Sequence, residues 1–298
     1  MKSLIRNLLA VLCLASSMGL SAQQLTTRTF FRDGILFFNP AEARYQENLK
    51  ALVNYRSEWS GIEGAPSTSS FLVQGPITDR VGLGLTVVAD RTLFERNTTF
   101  TIPFSYEVQL TRFTYLYLGV QAGGSLYSID TDALDANGVG ADPLLSNETK
   151  FFVPNFGLGA MFKGQDYFIG LSVPGILQSN RFQNLEATQF SAYEETVAYG
   201  VFGCSIYLNQ SLELQPTVVS RYSSGTPLSV EVNSALEVNE SFKFGASHRF
   251  QEASSLFAQI RLGNSIWVGY AYEFGHRAGI RTLGDSTHEI VSVFNLGI

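Results

Sequence analysis

The sequence lacks the short motifs that commonly place a metal, a phosphate or a nucleophile. It contains three histidines and two cysteines, and no C-x-x-C, H-E-x-x-H or G-x-S-x-G pattern. The histidines His248, His276 and His288 are single, and single histidines at strand ends are more often interfacial than catalytic. We therefore predict a protein that is not an enzyme, with no cofactor and no bound metal.

Positive charge is also scarce. The chain has 20 Lys and Arg against 26 Asp and Glu, a net charge of −6. Two of these cations fall in the leader described next, so the rest of the chain is more acidic still. Without a basic patch to neutralise phosphates, nucleic acid is excluded as a partner.

Long hydrophobic runs are absent after residue 22, although 45% of the chain is apolar. A membrane-spanning helix needs about 18 or more apolar residues in succession. Residues 1–22 instead form a signal peptide, with Lys2 and Arg6 before a short apolar stretch and cleavage expected near Ala22. Only Cys204 remains after cleavage, so no intramolecular disulfide can form, and we interpret it as a small apolar side chain facing lipid.

What the sequence has in abundance is alternation of apolar with small or polar residues. In the segment 81–90, Leu83 and Leu85 share one face, while Gly84 and Thr86 share the other. A membrane-barrel strand shows about 10 residues of this pattern, because lipid and lumen lie on its opposite sides. The predicted strands are about 49–57, 67–75, 81–90, 98–110, 113–127, 151–163, 166–173, 195–208, 211–222, 227–238, 241–250, 253–262, 265–274 and 287–298.

The connections between these segments predict the orientation. Connections after even-numbered strands are tight, whereas three long ones, 128–150, 174–194 and 275–286, follow odd-numbered strands. Outer-membrane barrels have short periplasmic turns and longer outer loops. We therefore predict an all-β fold, a transmembrane antiparallel up-and-down β-barrel of about 14 strands, in the outer membrane of a Gram-negative bacterium.

Residues 23–48 do not alternate. They nevertheless contain large apolar side chains that water would not tolerate in a loose tail, namely Phe30, Phe31, Ile35, Phe37 and Phe38. We predict that this segment folds back into the periplasmic half of the lumen, where Asn39-Pro40 turns it toward the first strand. The expected organisation is a signal peptide at 1–22, a periplasmic or plug segment at 23–48, and the barrel at 49–298.

Residues predicted to face the lumen are of two kinds. The glycines at 82–84 and 157–159 lie inside strands with no helix following, so we interpret them as room for a plug or for curvature rather than as a phosphate loop. Charges of both signs favour internal pairing or contact with a plug over a wide selective pore. They are Arg56, Glu231, Lys243, Arg249, Arg261, Glu273 and Glu289.

Two further features of the sequence, an acidic loop and a set of aromatic residues, are explained without a bound ligand. An acidic loop does not match the ligand order of a helix-loop-helix calcium site and is taken as solvated. Its residues are Asp130, Asp132, Asp135, Asn137 and Asp142. Aromatic residues near predicted strand ends are attributed to the girdles at headgroup level. They are Tyr106, Tyr115, Tyr127, Tyr167, Tyr207, Tyr222 and Trp267.

Short motifs follow one another through the chain. Gln23-Gln24 opens the predicted mature chain, Asn39-Pro40-Ala41 follows the aromatic cluster, and YRSEWSGIEGAPST occupies 55–68. GLGLTVVAD, DPLL, GLSVPGIL, WVGYAYEF and HEI then occupy 82–90, 142–145, 170–177, 267–274 and 288–290. This ordered set resembles the PorP/SprF membrane proteins of the type IX secretion system. The positions that carry the resemblance are Asn39, Pro40, Tyr55, Arg56, Trp59, Gly64, Pro66, Asp90, Trp267, Tyr270, Tyr272, His288 and Glu289.

The resemblance implies a non-enzymatic barrel of a secretion apparatus that also serves gliding motility in some relatives. Such a barrel assists secretion or surface attachment of cargo proteins and links the outer membrane to periplasmic machinery. The implied partners are cargo proteins with C-terminal sorting domains, periplasmic subunits of the secretion system, and outer-membrane lipid.

Two other functions stay open from the sequence. One is a passive outer-membrane channel or a transporter of hydrophobic compounds. The other is a barrel enzyme acting on lipids, in which His276 or His288 would supply the base.

The outer loops carry two further expectations. Partner contacts are expected on the loops 128–150 and 174–194 and on the periplasmic face, with Phe182 and Phe190 as candidate partner-binding residues. Gly61, Gly64 and Pro66 predict a compact first outer loop. Trp59 in that loop either anchors at the membrane interface or packs across the barrel mouth.

Overall fold

The computed structural model describes residues 27–62, 64–93, 95–129, 150–177, 196–224, 226–275 and 286–297. In these residues a single antiparallel sheet of 15 strands is accompanied by two short 3₁₀ helices, η1 (Ile35–Phe37) and η2 (Pro40–Arg44). The strands are β1 (Leu49–Ser57), β2 (Ser67–Pro76), β3 (Val81–Thr92), β4 (Glu95–Gln109), β5 (Tyr115–Ile129), β6 (Lys150–Lys163), β7 (Tyr167–Val173), β8 (Val197–Cys204), β9 (Ile206–Asn209), β10 (Leu212–Ser223), β11 (Ser229–Val238), β12 (Phe242–Arg249), β13 (Ala253–Leu262), β14 (Ile266–Gly275) and β15 (Ser286–Leu296).

The sheet closes on itself. β1 pairs with both β2 and β15, and β10 pairs with β11, so each wall strand of the described sheet has a neighbour on both sides. β8 and β9 both pair with β10 and are two pieces of one wall strand that is interrupted at Ser205. The predicted barrel of about 14 strands is therefore confirmed. The strand predicted at 195–208 is corrected to these two pieces.

In the described residues, no helix has the length and apolar character needed to cross a membrane.

The predicted alternation is present in the strands. In β3 Leu83 and Leu85 are exposed on the outer surface, while Gly84 and Thr86 are buried on the lumen side. β13 and β14 follow the same rule, with Leu256 outside and Glu273 inside. Register is fixed because a slip of one residue would exchange the two faces.

Three of the aromatic residues assigned to the girdles lie in the lumen instead. Trp267 is 8% exposed and Tyr127 is 2% exposed, and Tyr115 packs against a buried lumen cluster. The assignment fails because all three lie in the inward phase of their strands, where Trp267 and Tyr115 pack against the clusters formed with the plug. The remaining four are exposed and agree with a girdle. They are Tyr106, Tyr167, Tyr207 and Tyr222.

The two ends of the barrel differ. The connections at 77–80, 110–114, 164–166, 210–211, 239–241 and 263–265 are all tight and share one end, which we call the turn end. At the opposite end three connections are also short, one between Thr92 and Glu95, one at 224–228 and one at 250–252. Most of the three long connections falls outside the described residues, at 130–149, 178–195 and 276–285. The acidic loop, His276 and the candidate residues Phe182 and Phe190 lie there.

The chain from 27 to 48, here called the plug, lies inside the barrel. Its apolar side chains are buried in two clusters with inward residues of the wall. In one, Phe30 and Leu36 pack with Leu52, Leu72 and neighbouring wall residues. In the other, Phe31, Ile35 and Phe38 pack with the opposite wall. The predicted lumen segment is thus present.

Candidate functional site

The plug changes direction at Asn39. Its backbone is extended, with φ −135° and ψ 105°, and its Oδ1 accepts a hydrogen bond from the amide of Ala41 at 3.0 Å. Pro40 occupies the first position of η2, where no amide hydrogen is needed and its fixed φ suits the helix. The cap and the proline together start η2 at the turn expected from the sequence.

η2 lies directly against a floor of glycines in the wall. We call this the glycine sector, formed by Gly82, Gly119, Gly159 and Gly170. A Cβ atom on Gly119 would collide with the backbone of Pro40 and Ala41, and one on Gly170 would lie 2.9 Å from Nδ2 of Asn39. Only glycine permits this approach of two backbones. The interpretation as room for a plug holds for Gly82, Gly84 and Gly159, whereas Gly157 lies against Pro174 and Gln121 instead.

Hydrogen bonds fasten the plug to the same side of the wall. Nδ2 of Asn39 donates to the carbonyl oxygen of Ala160 at 3.3 Å, and Oγ of Ser172 donates to the carbonyl oxygen of Phe38 at 2.6 Å. These bonds satisfy buried polar groups that would otherwise destabilise the packed interior.

The opposite wall carries an ion-pair network. Arg56 in β1 is 2% exposed and contacts Glu273 of β14 at 2.5 Å and Glu289 of β15 at 3.2 Å. Arg249 of β12 reaches the second oxygen of Glu273 at 2.8 Å. A second pair joins Arg221 and Glu231 at 3.1 Å. We call these six residues the charged sector.

Pairing satisfies most of the lumen charges identified in the sequence. Lys243 lies 3.2 Å from Glu237, and its ammonium lies 4.5 Å from the ring centre of Trp267. Arg261 is different, because it bonds the turn-end residues Asn264 and Glu240 near solvent. Internal pairing is thus how both signs of charge coexist in a narrow lumen.

The charged sector and two polar residues beside it, Asn233 and Gln259, also bind the plug. Oε2 of Glu289 accepts a hydrogen bond from the amide of Thr29 at 2.8 Å, and Asn233 donates to the carbonyl oxygen of Thr29 at 3.1 Å. Gln259 donates to the carboxylate of Asp33 at 3.0 Å. The first part of the plug is therefore held by directed polar bonds, whereas η2 is held mainly by close contact.

Arg32 of the plug binds the wall where it is interrupted at Ser205. Arg32 donates to the carbonyl oxygen of Cys204 at 3.0 Å and to Oγ of Ser205 at 2.9 Å. The break between β8 and β9 leaves these groups available to the lumen. Cys204 itself is a free, half-buried thiol, in the outward phase as predicted.

The turn end of the plug carries a buried acid. Oε1 of Glu42 lies 3.6 Å from Nζ of Lys50 and accepts a hydrogen bond from Gln46 at 3.3 Å. Burial raises the pKa of the Glu42 carboxyl, and the charge of Lys50 partly opposes the rise. Burial also raises the pKa of Tyr45 to about 12, and the ammonium of Lys163 lies 4.4 Å from the Tyr45 ring centre.

Little space is left beside the first part of the plug. The cavity between it and the charged side of the wall, next to Thr29, Asn233 and Lys243, has a volume of about 20 Å³. That volume holds roughly one water molecule. At this position the plug and the charged side of the wall are packed closely together.

The residues that carry the family resemblance fall into three places. Asn39 and Pro40 sit on the glycine sector, and Arg56 and Glu289 belong to the charged sector. Trp267 lines the lumen beside them. The structure therefore brings five of these positions together around the plug.

A second group lies on the outer surface. The hydroxyl of Tyr270 and Nδ1 of His288 are 2.7 Å apart, and the ring of Tyr272 meets His288 edge to face at 5.4 Å. Tyr55 is exposed on the same surface. Asp90 belongs to neither group: it lies in the inward phase of β3, accepts a hydrogen bond from Thr68 at 2.5 Å and is near enough to Arg28 of the plug for their charges to interact.

The third group forms the first loop at the end opposite the turn end, between β1 and β2. Gly61 and Gly64 adopt φ values of 101° and 75°, and Trp59 itself has φ 49°. The amide of Glu58 donates to the carbonyl oxygen of Pro66 at 2.9 Å. The loop is compact, as predicted. Trp59 is half-buried, so both of its expected roles stay open.

Sequence reasoning missed the cations of the plug. Arg28 donates to Oγ of Ser70 at 2.8 Å and lies 4.1 Å from the Phe37 ring centre, and Arg32 bridges the wall interruption. A signal was available, because Arg28 and Arg32 stand beside Phe30 and Phe31 in a segment predicted to enter the lumen, where charged side chains require buried partners.

Chemistry is limited in the described residues. No group of three or more His, Cys, Asp or Glu there could hold a metal ion. His288 faces outward and bonds a tyrosine, so its proposed role as a base lacks a neighbouring nucleophile among these contacts. A Ser–His contact does occur between Ser254 and His248 at 2.8 Å, on the outer surface of the wall.

Comparison with known proteins gives one sequence match and several structural ones. The sequence model of the family described as type IX secretion system membrane protein PorP/SprF matches residues 20–294. No curated protein matches the chain in sequence. The structure is similar to the CymD monoaromatic hydrocarbon channel, with TM-score 0.52, 12% identity, and 88% of this chain and 92% of that chain covered.

Two toluene transporters are similar in the same way. For TbuX of Ralstonia pickettii the TM-score is 0.51 at 12% identity, with 88% of this chain and 92% of that chain covered. For TodX of P. putida the TM-score is 0.50 at 11% identity, with 87% and 93% covered. At such identity the likeness concerns the fold alone.

Proposed function

The chain belongs to the PorP/SprF family of type IX secretion system membrane proteins, and from that premise we propose a non-catalytic outer-membrane platform. In this proposal the barrel assists secretion or surface attachment of cargo proteins with C-terminal sorting domains. It also links the outer membrane to periplasmic subunits of the secretion system. A role in gliding motility belongs to the same proposal.

One observation carries the choice of a platform over a conduit. The plug is bonded to both sides of the wall, by Thr29 to Glu289 and by Asn39 to Ala160. The cavity between its first part and the charged side of the wall has a volume of about 20 Å³. A folded or extended protein chain needs a far wider passage, so cargo would be handled at the ends of the barrel rather than through it.

The orientation and processing of the chain are part of the proposal. The signal peptide at 1–22 would be removed near Ala22, leaving the plug segment at 23–48 and the barrel at 49–298. The turn end would face the periplasm, and the first loop and the long loops would face outward. Residues 1–26 lie outside the described part of the chain.

The long loops are the proposed partner surface, because loops tolerate variation and carry recognition. Replacing Phe182 and Phe190 with Ser should lower cargo at the cell surface while leaving heat-resistant migration of the barrel unchanged. The matched control is Phe250→Ser, an exposed phenylalanine in the short connection at the same end. Unchanged cargo together with a less stable barrel would make the loop a lid and place the partner site elsewhere.

The experiment that tests the function is deletion of the gene for this protein in its bacterium. We expect cargo proteins with sorting domains to be lost from the surface, with uptake of small solutes unchanged. Normal cargo display together with reduced solute uptake would contradict the platform and favour a transporter.

A passive channel or hydrophobic-compound transporter is the second candidate. It is supported by the fold likeness to channels and transporters for monoaromatic compounds. Faster entry of a fluorescent aromatic probe into liposomes containing the protein than into empty ones would establish it. An equal rate of probe entry into both kinds of liposome would exclude the channel or transporter.

A further inference from the structure

An apolar groove lies on the membrane-facing side of the wall, toward the turn end. It has a volume of about 780 Å³ and crosses strands β4 to β8. Outward side chains of Phe104, Leu118, Leu158 and Leu171 line it, and Leu171 is 67% exposed. The groove opens toward the surroundings of the barrel and not into the lumen.

The groove lies behind the seat of η2. Gly119 and Gly159 of the glycine sector form part of its floor, so a single layer of backbone separates the groove from Asn39 and Pro40. Ala160 also lines the groove, and its carbonyl oxygen accepts the hydrogen bond from Asn39. Where the glycines let the wall approach the plug, the outer surface has a depression.

The surroundings restrict what can occupy this depression. The groove is continuous with the apolar belt of a membrane barrel, so its solvent is hydrocarbon. A concave apolar surface contacts a chain on several sides and therefore gains more dispersion energy than a convex wall does. Tyr106 lies at the turn-end border of the groove, and Arg112 follows in the next turn, where a phosphate headgroup could meet a cation.

We propose that the groove is a binding site for one acyl chain of a membrane phospholipid. The phospholipid comes from the leaflet at the turn end of the barrel, and it stays bound when neighbouring lipids exchange. The site is independent of the secretion role and of the lumen, because its lining belongs to the outer surface.

A pair of matched variants tests the site. Ala160 lies in the groove between Leu118 and Leu171, and Ala258 is an outward alanine on the far wall between Phe244 and Tyr270. The readout is phospholipid retained per barrel after detergent purification, measured by native mass spectrometry. We expect wild type and Ala258→Phe to retain lipid alike, and Ala160→Phe to retain about a fifth as much.

Folding is controlled by heat-resistant migration on gels, which both outward substitutions should leave unchanged. Equal retention by the two variants would overturn the proposal, as would a wild-type barrel that retains no phospholipid. Loss of a co-purifying protein rather than of lipid in Ala160→Phe would assign the groove to a protein partner and would also overturn it.

Discussion

The two sides of the wall hold the plug in different ways. The glycine sector contributes no side chains, so η2 rests on it backbone to backbone, and fit depends on shape. The charged sector contributes long side chains whose carboxylates and guanidinium groups pair with each other and with the amide of Thr29. On the glycine side the plug is held by close packing, which the missing side chains permit. On the charged side it is held by hydrogen bonds to side chains that also form ion pairs.

The difference indicates how each side should respond to change. A close-packed contact fails when any atom is added, because two backbones cannot move apart without releasing the helix. A buried charge network fails when one charge is removed, because the remaining partners stay buried without compensation. Substitutions of opposite kinds should therefore break the two sectors.

The largest effect is expected for Arg56→Met. Glu273 and Glu289 would lose the cation that they share, and we expect the free energy of unfolding to fall by about 4 kcal/mol. Urea unfolding followed by tryptophan fluorescence measures it. The control is Arg261→Met, whose partner Glu240 is 84% exposed, with an expected loss of about 0.5 kcal/mol. Similar losses in both variants would remove the distinction between buried and exposed pairs.

A smaller but still large effect is expected for Gly119→Ala. The added methyl group collides with the backbone of η2, and overpacking of this kind costs about 3 kcal/mol. Gly200→Ala is the matched control, because its Cβ would meet only the hydroxyl of Ser220 within 3 Å. Protease cleavage of the plug should rise in the first variant only. Equal protection in both would mean that the glycine sector does not hold η2.

Asn39 makes hydrogen bonds on the glycine side of the plug, and its substitution measures what these bonds contribute to stability. Asn39→Ala removes both the cap on η2 and the bond to Ala160, for an expected loss of about 2 kcal/mol. Asn39→Asp keeps the acceptor for Ala41 but places a buried carboxylate oxygen against the carbonyl oxygen of Ala160, so it should lose at least as much by the same urea measurement. If the aspartate variant were as stable as wild type, the bond to the wall would contribute nothing.

The smallest effect concerns pH. Burial raises the pKa of Glu42, so its ionised form weakens the seating of the plug. Stability should rise as pH falls from neutral through this raised pKa toward about 4.3, the ordinary carboxyl value. Glu42→Gln should remove about 1 kcal/mol or less of that dependence. An unchanged difference between pH 5 and pH 7.5 in the variant would assign the dependence to other groups.

The sequence was sufficient for the barrel because lipid requires strict alternation in every strand. It also indicated that the lumen charges pair, and the pairing of Arg56 with Glu289 follows once β1 is placed beside β15. The inward aromatic residues were misassigned although alternation could have placed them. Trp267 shares the inward phase of β14 with Glu273, and Tyr127 shares the inward phase of β5 with Gln121, whereas the girdle assignment relied on their nearness to strand ends.

The interruption at Ser205, by contrast, was hidden. Apolar residues continue on both sides of it, and the group that binds there, Arg32, is 173 positions away in the chain. Contacts between the plug and the wall join residues that are far apart in the sequence. Local alternation of residues does not indicate which of them meet. The glycines were informative because only a close approach explains so many small residues within strands.

The most direct measurement of the closed lumen is ion conductance in planar bilayers. Wild type should show no steady open-channel current, because the plug crosses the lumen from the glycine sector to the charged sector. Deleting residues 27–38 removes the half of the plug held by the charged sector while leaving η2 in place, and should produce stable currents. Steady currents of equal size in wild type and in the deletion would contradict the account.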